Sequence, residues 1–66
     1  MKSLIERGDR VKMLSDWCNG DIGVRQGQTG SVVRVVRKDG IYGVTVQFDG
    51  VARDVNVSCG NIEILN

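Results

Sequence analysis

The sequence predicts an all-β fold: a small barrel of five short strands with a long first loop, formed by one domain spanning residues 1–66. Two turn signals carry this expectation, and a third observation extends it. Asp39-Gly40 and Asp49-Gly50 each lie between alternating apolar residues, and an Asp-Gly pair tolerates the positive φ angles that a two-residue type I′ hairpin turn requires. Two further period-2 segments, Asp9 to Leu14 and Ile62 to Ile64, flank this three-strand meander and supply a first and a last strand.

Two-residue turns set a register. In the first hairpin Lys38 faces Ile41, Arg37 faces Tyr42, Val35 faces Val44 and Val33 faces Val46. In the second, Phe48 faces Val51, Val46 faces Arg53, Val44 faces Val55 and Tyr42 faces Val57. The two hairpins then share one face made of Val33, Val35, Tyr42, Val44, Val46, Phe48, Val51, Val55 and Val57, because strand side chains alternate with a period of two. Arg34, Thr45, Gln47, Ala52, Asp54 and Asn56 turn the other way, toward water.

Taken in order, residues 1–6 form a lead-in or a single helical turn that Arg7-Gly8 ends. In Asp9–Leu14, Val11 and Met13 share one face and Arg10 and Lys12 the other, with Leu14 closing an end of the core. From Ser15 to Gln28 the alternation stops, and three glycines and the single Trp fall in what reads as a long loop. A loop of this length in a compact domain is usually functional or disordered. The doubled valines Val32-Val33 and Val35-Val36 imply a strongly twisted or bulged second strand. Ser58-Cys59-Gly60-Asn61 reads as a tight turn before the last strand.

Composition narrows the functional classes. Nine Lys and Arg against eight Asp and Glu leave a net charge of +1, without the basic excess usual in nucleic-acid binders. No apolar run is long enough for a membrane span or a signal segment, so the expected protein is cytoplasmic and not inserted in a membrane. Cys18 and Cys59 with no histidine do not make a zinc site, and read as two small half-buried thiols, with a bridge as the alternative. The lack of histidine also removes the usual neutral-pH acid-base, and no glycine-rich loop leads into a helix. The expected protein is therefore non-enzymatic and without cofactor, although an active site assembled across a homo-oligomer stays open.

Element order matches an SH3-like barrel, with a five-stranded OB-type barrel as competitor. Gly8-Asp9-Arg10-Val11 followed by Gly27-Gln28-Thr29-Gly30-Ser31-Val32 resembles the opening of KOW-type SH3-like domains of transcription and translation. With Leu14, Trp17, Tyr42, Val44, Val46, Phe48 and Val51, the chain also resembles the family of small SH3-like barrels found in photosystem I. The KOW resemblance implies a nucleic-acid-binding module. A dihydrofolate reductase borne on plasmids uses the same barrel, with a pore lined by a Val-Gln-Ile-Tyr run; Val46-Gln47-Phe48-Asp49 is only superficially similar, and that activity is not carried over.

Two sets of residues are candidates for binding. Trp17, Ile22 and Arg25 lie on the long loop, and Trp and Arg are frequent interface anchors; the alternative is that Trp17 and Ile22 plug one end of the barrel. Arg53 falls on the core face in the expected register, so it must reach a barrel mouth beside that loop, turn outward at a bulge, or pair with Glu63 or Asp16. These four define docking onto a protein partner, the favoured reading. Arg10, Lys12, Arg34, Arg37 and Lys38 form a basic stripe that can contact phosphates, the nucleic-acid alternative; on the other view Arg34 reaches Asp54 across Thr45. Weak homo-oligomerisation is compatible with either.

Overall fold

The computed structural model describes residues 4–65, with the backbone alone at positions 38 and 41. Its strands are β1 (Arg10–Met13), β2 (Trp17–Asn19), β3 (Ile22–Val24), β4 (Thr29–Lys38), β5 (Ile41–Phe48), β6 (Val55–Ser58) and β7 (Ile62–Ile64), with a 3₁₀ turn, η1 (Cys59–Asn61), before β7. The fold is all-β, as expected. Five strands form one sheet in the order β6-β5-β4-β1-β7, and β2 and β3 form a separate two-stranded ribbon. β6 and β7 are the sheet's edges, and among the described residues no ladder joins them.

The first Asp-Gly turn behaves as its chemistry requires. Asp39 and Gly40 both have positive φ, 52° and 79°, the type I′ pattern that matches strand twist. The register near it is the expected one: Lys38 pairs with Ile41, Arg37 with Tyr42 and Val35 with Val44. Further along, the pairing jumps from Arg34↔Thr45 to Val32↔Val46, so Val33 is the extra residue of a β-bulge. The valine doublet signalled a bulge, but the expected Val33–Val46 pair does not form. The bulge exchanges the strand's faces, which places Val32, 2% exposed, in the core and leaves Val33 half-buried.

The second Asp-Gly pair departs from expectation. Only Gly50 has positive φ, 81°, and Val51 N–H donates to the Phe48 carbonyl at 3.1 Å. Positive φ confined to the third residue of the turn is the type II pattern, which splays flanking strands where type I′ would pair them. Val51 to Asp54 therefore stay outside the ladder, and β6 begins at Val55. β5 pairs with it as Val46↔Val55 and Val44↔Val57, two residues from the expected register. A shift of two conserves the alternation, so Val44, Val46, Phe48, Val55 and Val57 are all buried. Arg53 moves off the core face altogether and is exposed. Asn56, not Asp54, is the cross-strand partner of Thr45, which removes the expected Arg34–Thr45–Asp54 row. Thr45 is itself buried, and its hydroxyl meets Asn56 Oδ1 at 2.6 Å.

One buried cluster joins these residues to Ile5, Val11, Met13, Val24, Val32 and Ile62. Ile5 and the buried Asp9 give the lead-in a structural role: Asp9 Oδ2 accepts from Glu6 N–H at 2.8 Å, and Gly8 N–H reaches the Val32 carbonyl at 2.8 Å. Residues 4–6 form no helical turn, and the rest of that expectation, residues 1–3, lies outside the described residues. Leu14 is exposed and does not close the core. Cys18 is exposed and Cys59 half-buried, and both are free thiols.

At Gly30, β5 leaves no room for a side chain on β4. A Cβ there would approach the Gln47 carbonyl oxygen to 2.6 Å and the Phe48 Cα to 2.8 Å, both backbone atoms that cannot swing away. Gly30→Ala should therefore destabilise by about 1–3 kcal/mol, the usual range for overpacking. Gly43→Ala, whose Cβ would meet the Val57 carbonyl at an ordinary 3.6 Å, serves as the control. Urea unfolding of the two variants tests this, and equal midpoints would contradict it.

Candidate functional site

The segment expected as a long loop is largely a hairpin. Trp17↔Val24 and Asn19↔Ile22 pair across a turn at Gly20-Asp21, where Gly20 has φ 65° and supplies the positive first angle that a Gly-led hairpin turn needs. Three-residue strands carry too weak an alternation to read in the sequence. Trp17 and Ile22 are half-buried and pack against the core beside buried Val24, while Cys18 and Gly23 are exposed. Trp17 and Val24 thus lie at the root of the ribbon and Ile22 beside its turn.

Between the ribbon's turn and the Asp49–Asp54 loop lies a groove of about 360 Å³, lined by Asp21, Ile22, Gly23, Gly50, Val51, Ala52 and Arg53. It brings together two of the four residues singled out for partner binding, Ile22 and Arg53. Trp17 and Arg25 do not line it. Arg25 is exposed just past β3, its N–H donating to Gln28 Oε1 at 3.1 Å. The acids offered as partners for Arg53 are engaged elsewhere: Asp16 Oδ1 accepts from Gln26 N–H at 2.7 Å, and Glu63 faces Lys12 at 3.6 Å.

The basic stripe divides in two. Arg10 and Lys12 flank the start of β4, opposite Ser31 and Thr29, whereas Arg34 and Arg37 lie toward its other end. With about 3.3 Å per strand residue, Arg10's partner Ser31 and Arg37 are roughly 20 Å apart. The β1 pair is also neutralised. Arg10 grips Asp49 with both terminal guanidinium nitrogens, at 2.7 and 3.3 Å, and donates to the Ser31 and Thr29 hydroxyls at 2.9 and 3.3 Å. Thr29 in turn donates to Asp49 at 2.7 Å, and Gln28 donates to the Asp49 carbonyl at 2.9 Å. Asp49 thus ties the β5–β6 loop to β1 and β4, a role hidden in the sequence because the residue reads there as a turn former. The side chain of Lys38 lies outside the described residues.

A second groove, about 670 Å³, is lined by Ile5, Glu6, Arg7, Val33, Arg34, Val35 and Arg37. Arg37 holds its guanidinium carbon 5.0 Å from the centre of the Tyr42 ring, a cation–π distance, and the Tyr42 hydroxyl donates to the Ile5 carbonyl at 3.3 Å. Arg7 reads in the sequence only as the end of the lead-in, and the groove sets it beside Arg34, which keeps its expected pairing with Thr45. Among the described residues no group of three or more Cys, Asp or Glu is placed to hold a metal ion, and no helix is long and apolar enough to cross a membrane.

Compared with known proteins, the chain matches no family model, no curated protein and no solved structure.

The Arg10 guanidinium, and after it the Thr29 hydroxyl, holds the Asp49 carboxyl below the ordinary carboxylate range, and the same contact raises Arg10. An Asp with a depressed folded value stabilises the fold above its unfolded value of about 3.9, and that contribution is lost as pH falls through the folded value. A carbon-detected NMR titration should find Asp49 protonating below the ordinary carboxylate range, and Arg10→Gln should move it upward. An Asp49 midpoint at the ordinary carboxylate value of about 3.9 in the wild-type chain would contradict the clamp.

Proposed function

We propose that the chain is an SH3-like barrel of the non-enzymatic, docking kind, which holds a protein partner in the groove between the β2–β3 ribbon and the Asp49–Asp54 loop. The sheet order β6-β5-β4-β1-β7 and the 3₁₀ turn ahead of the last strand support the barrel reading. The observation that carries the docking reading is the pairing of apolar Ile22 and Val51 with Asp21 and Arg53 around one groove. Interfaces of this make-up anchor an apolar side chain at the centre and use charges at the rim for orientation. Trp17 belongs to the support beneath the ribbon, and Arg25 to its outer margin.

The nucleic-acid alternative draws on fewer residues than the stripe offered. Arg10 and Lys12 already face Asp49 and Glu63, so a phosphate would have to displace a carboxylate to reach either.

A photoreactive side chain placed at Ala52 should crosslink one protein species, and the same probe at Asn56, exposed on β6, should not. Arg53→Glu should weaken binding of the crosslinked protein about tenfold, roughly 1.4 kcal/mol. Equal crosslinking from both positions, or unchanged affinity, would dispose of this site. Sedimentation identifies a second copy of the chain if that is the species captured.

A further inference from the structure

We propose that β4 takes an acidic peptide as an added strand along its side facing Ile5–Arg7, between Val33 and Arg37. This surface is separate from the ribbon groove, and it stands or falls independently of what binds there. β4 is ten residues long, but its ladder with β1 runs only from Thr29 to Ser31. Val32 prolongs that side by one residue, exchanging bonds of 2.8 and 2.9 Å with Gly8 and Asp9. The β5 ladder continues to Lys38. From Val33 onward, therefore, no strand among the described residues pairs with the other side of β4. An edge of this kind presents a row of backbone donors and acceptors to an incoming chain.

The side chains along the edge say what that chain should carry. The second groove lies against it, and three of its seven lining residues are Arg7, Arg34 and Arg37, against one acid, Glu6. All three arginines are exposed, and among the described residues none is in an ion pair. Arg34 and Arg37 are three residues apart on a strand, so they address opposite faces of whatever pairs beside them. Val35 between them is half-buried and offers an apolar contact. The matching ligand is an extended segment with two carboxylates three residues apart and an apolar residue between. Arginine favours carboxylate through paired, charge-assisted hydrogen bonds. Stacking platforms, which single-stranded nucleic acid requires, are lacking here: Tyr42 does not line the groove, and the Arg37 guanidinium lies over its ring. The groove, about 670 Å³, is wide open to solvent, as an edge that receives a strand from outside must be.

The test is a titration of the isotopically labelled full chain, followed by amide NMR, with a capped heptapeptide Ser-Glu-Thr-Val-Glu-Thr-Ser. Saturable shifts and slowed amide exchange confined to Val33–Arg37 and Ile5–Arg7 are expected. The same peptide with lysine for glutamate should bind at least about tenfold more weakly, as should a version N-methylated on alternate backbone amides. Arg34→Glu with Arg37→Glu, both at exposed positions, should reverse the preference between the acidic and basic peptides. Undiminished binding of the N-methylated peptide would overturn strand addition, as would absence of saturable shifts with the acidic peptide. Tighter binding of an oligothymidylate at the same residues, displacing the peptide, would assign the edge to phosphates and equally defeat the proposal. The peptide comparisons decide the matter even if the double variant does not fold.

Discussion

The structure depends on one long strand changing its surroundings partway along. Among the described strands, β4 lies between β1 and β5 over its first residues and beside β5 alone over its last, and the change falls at the Val33 bulge. A regular strand would carry one set of alternate residues to the core throughout. With one extra residue inserted, Val32 packs inward before the bulge and Val35 after it, and the local twist increases. Gly30 complements the bulge on the near side by letting β4 press against Gln47 and Phe48 where a side chain would hold it off. Together they let a single strand serve two neighbourhoods, and the second groove lies where no strand among the described residues flanks β4.

Charge is distributed on the same plan. Among the described side chains of β1 and β4, the basic residues at the β1 end have carboxylate partners, and those at the far end of β4 do not. The Arg10–Asp49 contact is bidentate and shares its hydroxyl neighbours, so it holds a loop in place as well as balancing charge. That loop is one wall of the ribbon groove. Lys12–Glu63 is a longer, exposed pair of the kind that contributes little to stability. A net charge of +1 thus conceals a local concentration of charge, with Arg7, Arg34 and Arg37 around one groove and Arg53 at the other.

How much of this was legible depended on whether a local signal had a competing long-range partner. Asp39-Gly40 forms the expected turn because its own backbone preference decides the geometry, and its register follows. Asp49-Gly50 carries the same two letters, yet its carboxylate is claimed by Arg10 and Thr29, thirty-nine and twenty residues away in sequence. No local pattern announces that. The core is insensitive to the difference because a two-residue shift leaves inside and outside unchanged, whereas Arg53 reads as a strand residue in a stretch that is loop. The β2–β3 ribbon escapes the sequence because its strands are three residues long, and its cross-strand pairs, Trp17 with Val24 and Asn19 with Ile22, meet only after the turn. Of the candidate site, Ile22 and Arg53 stand out in the sequence, but their meeting and the second groove beside Arg7 need the third dimension.

The bond from Leu65 N–H to the Arg10 carbonyl, 2.8 Å long, joins segments from nearly opposite ends of the described chain, as does the whole β1–β7 ladder. Closing so large a loop costs more entropy than closing the Asp39-Gly40 corner. The β4–β5 hairpin, held by a turn that prefers its own geometry, closes a short loop of the kind that forms within microseconds, whereas the seam between first and last strands closes a loop spanning most of the chain. Proteins dominated by such remote pairings fold slowly for their size. In this chain the Val11–Ile64 and Met13–Ile62 pairings are the ones that close the longest loop, and they lie at the sheet edge opposite β6.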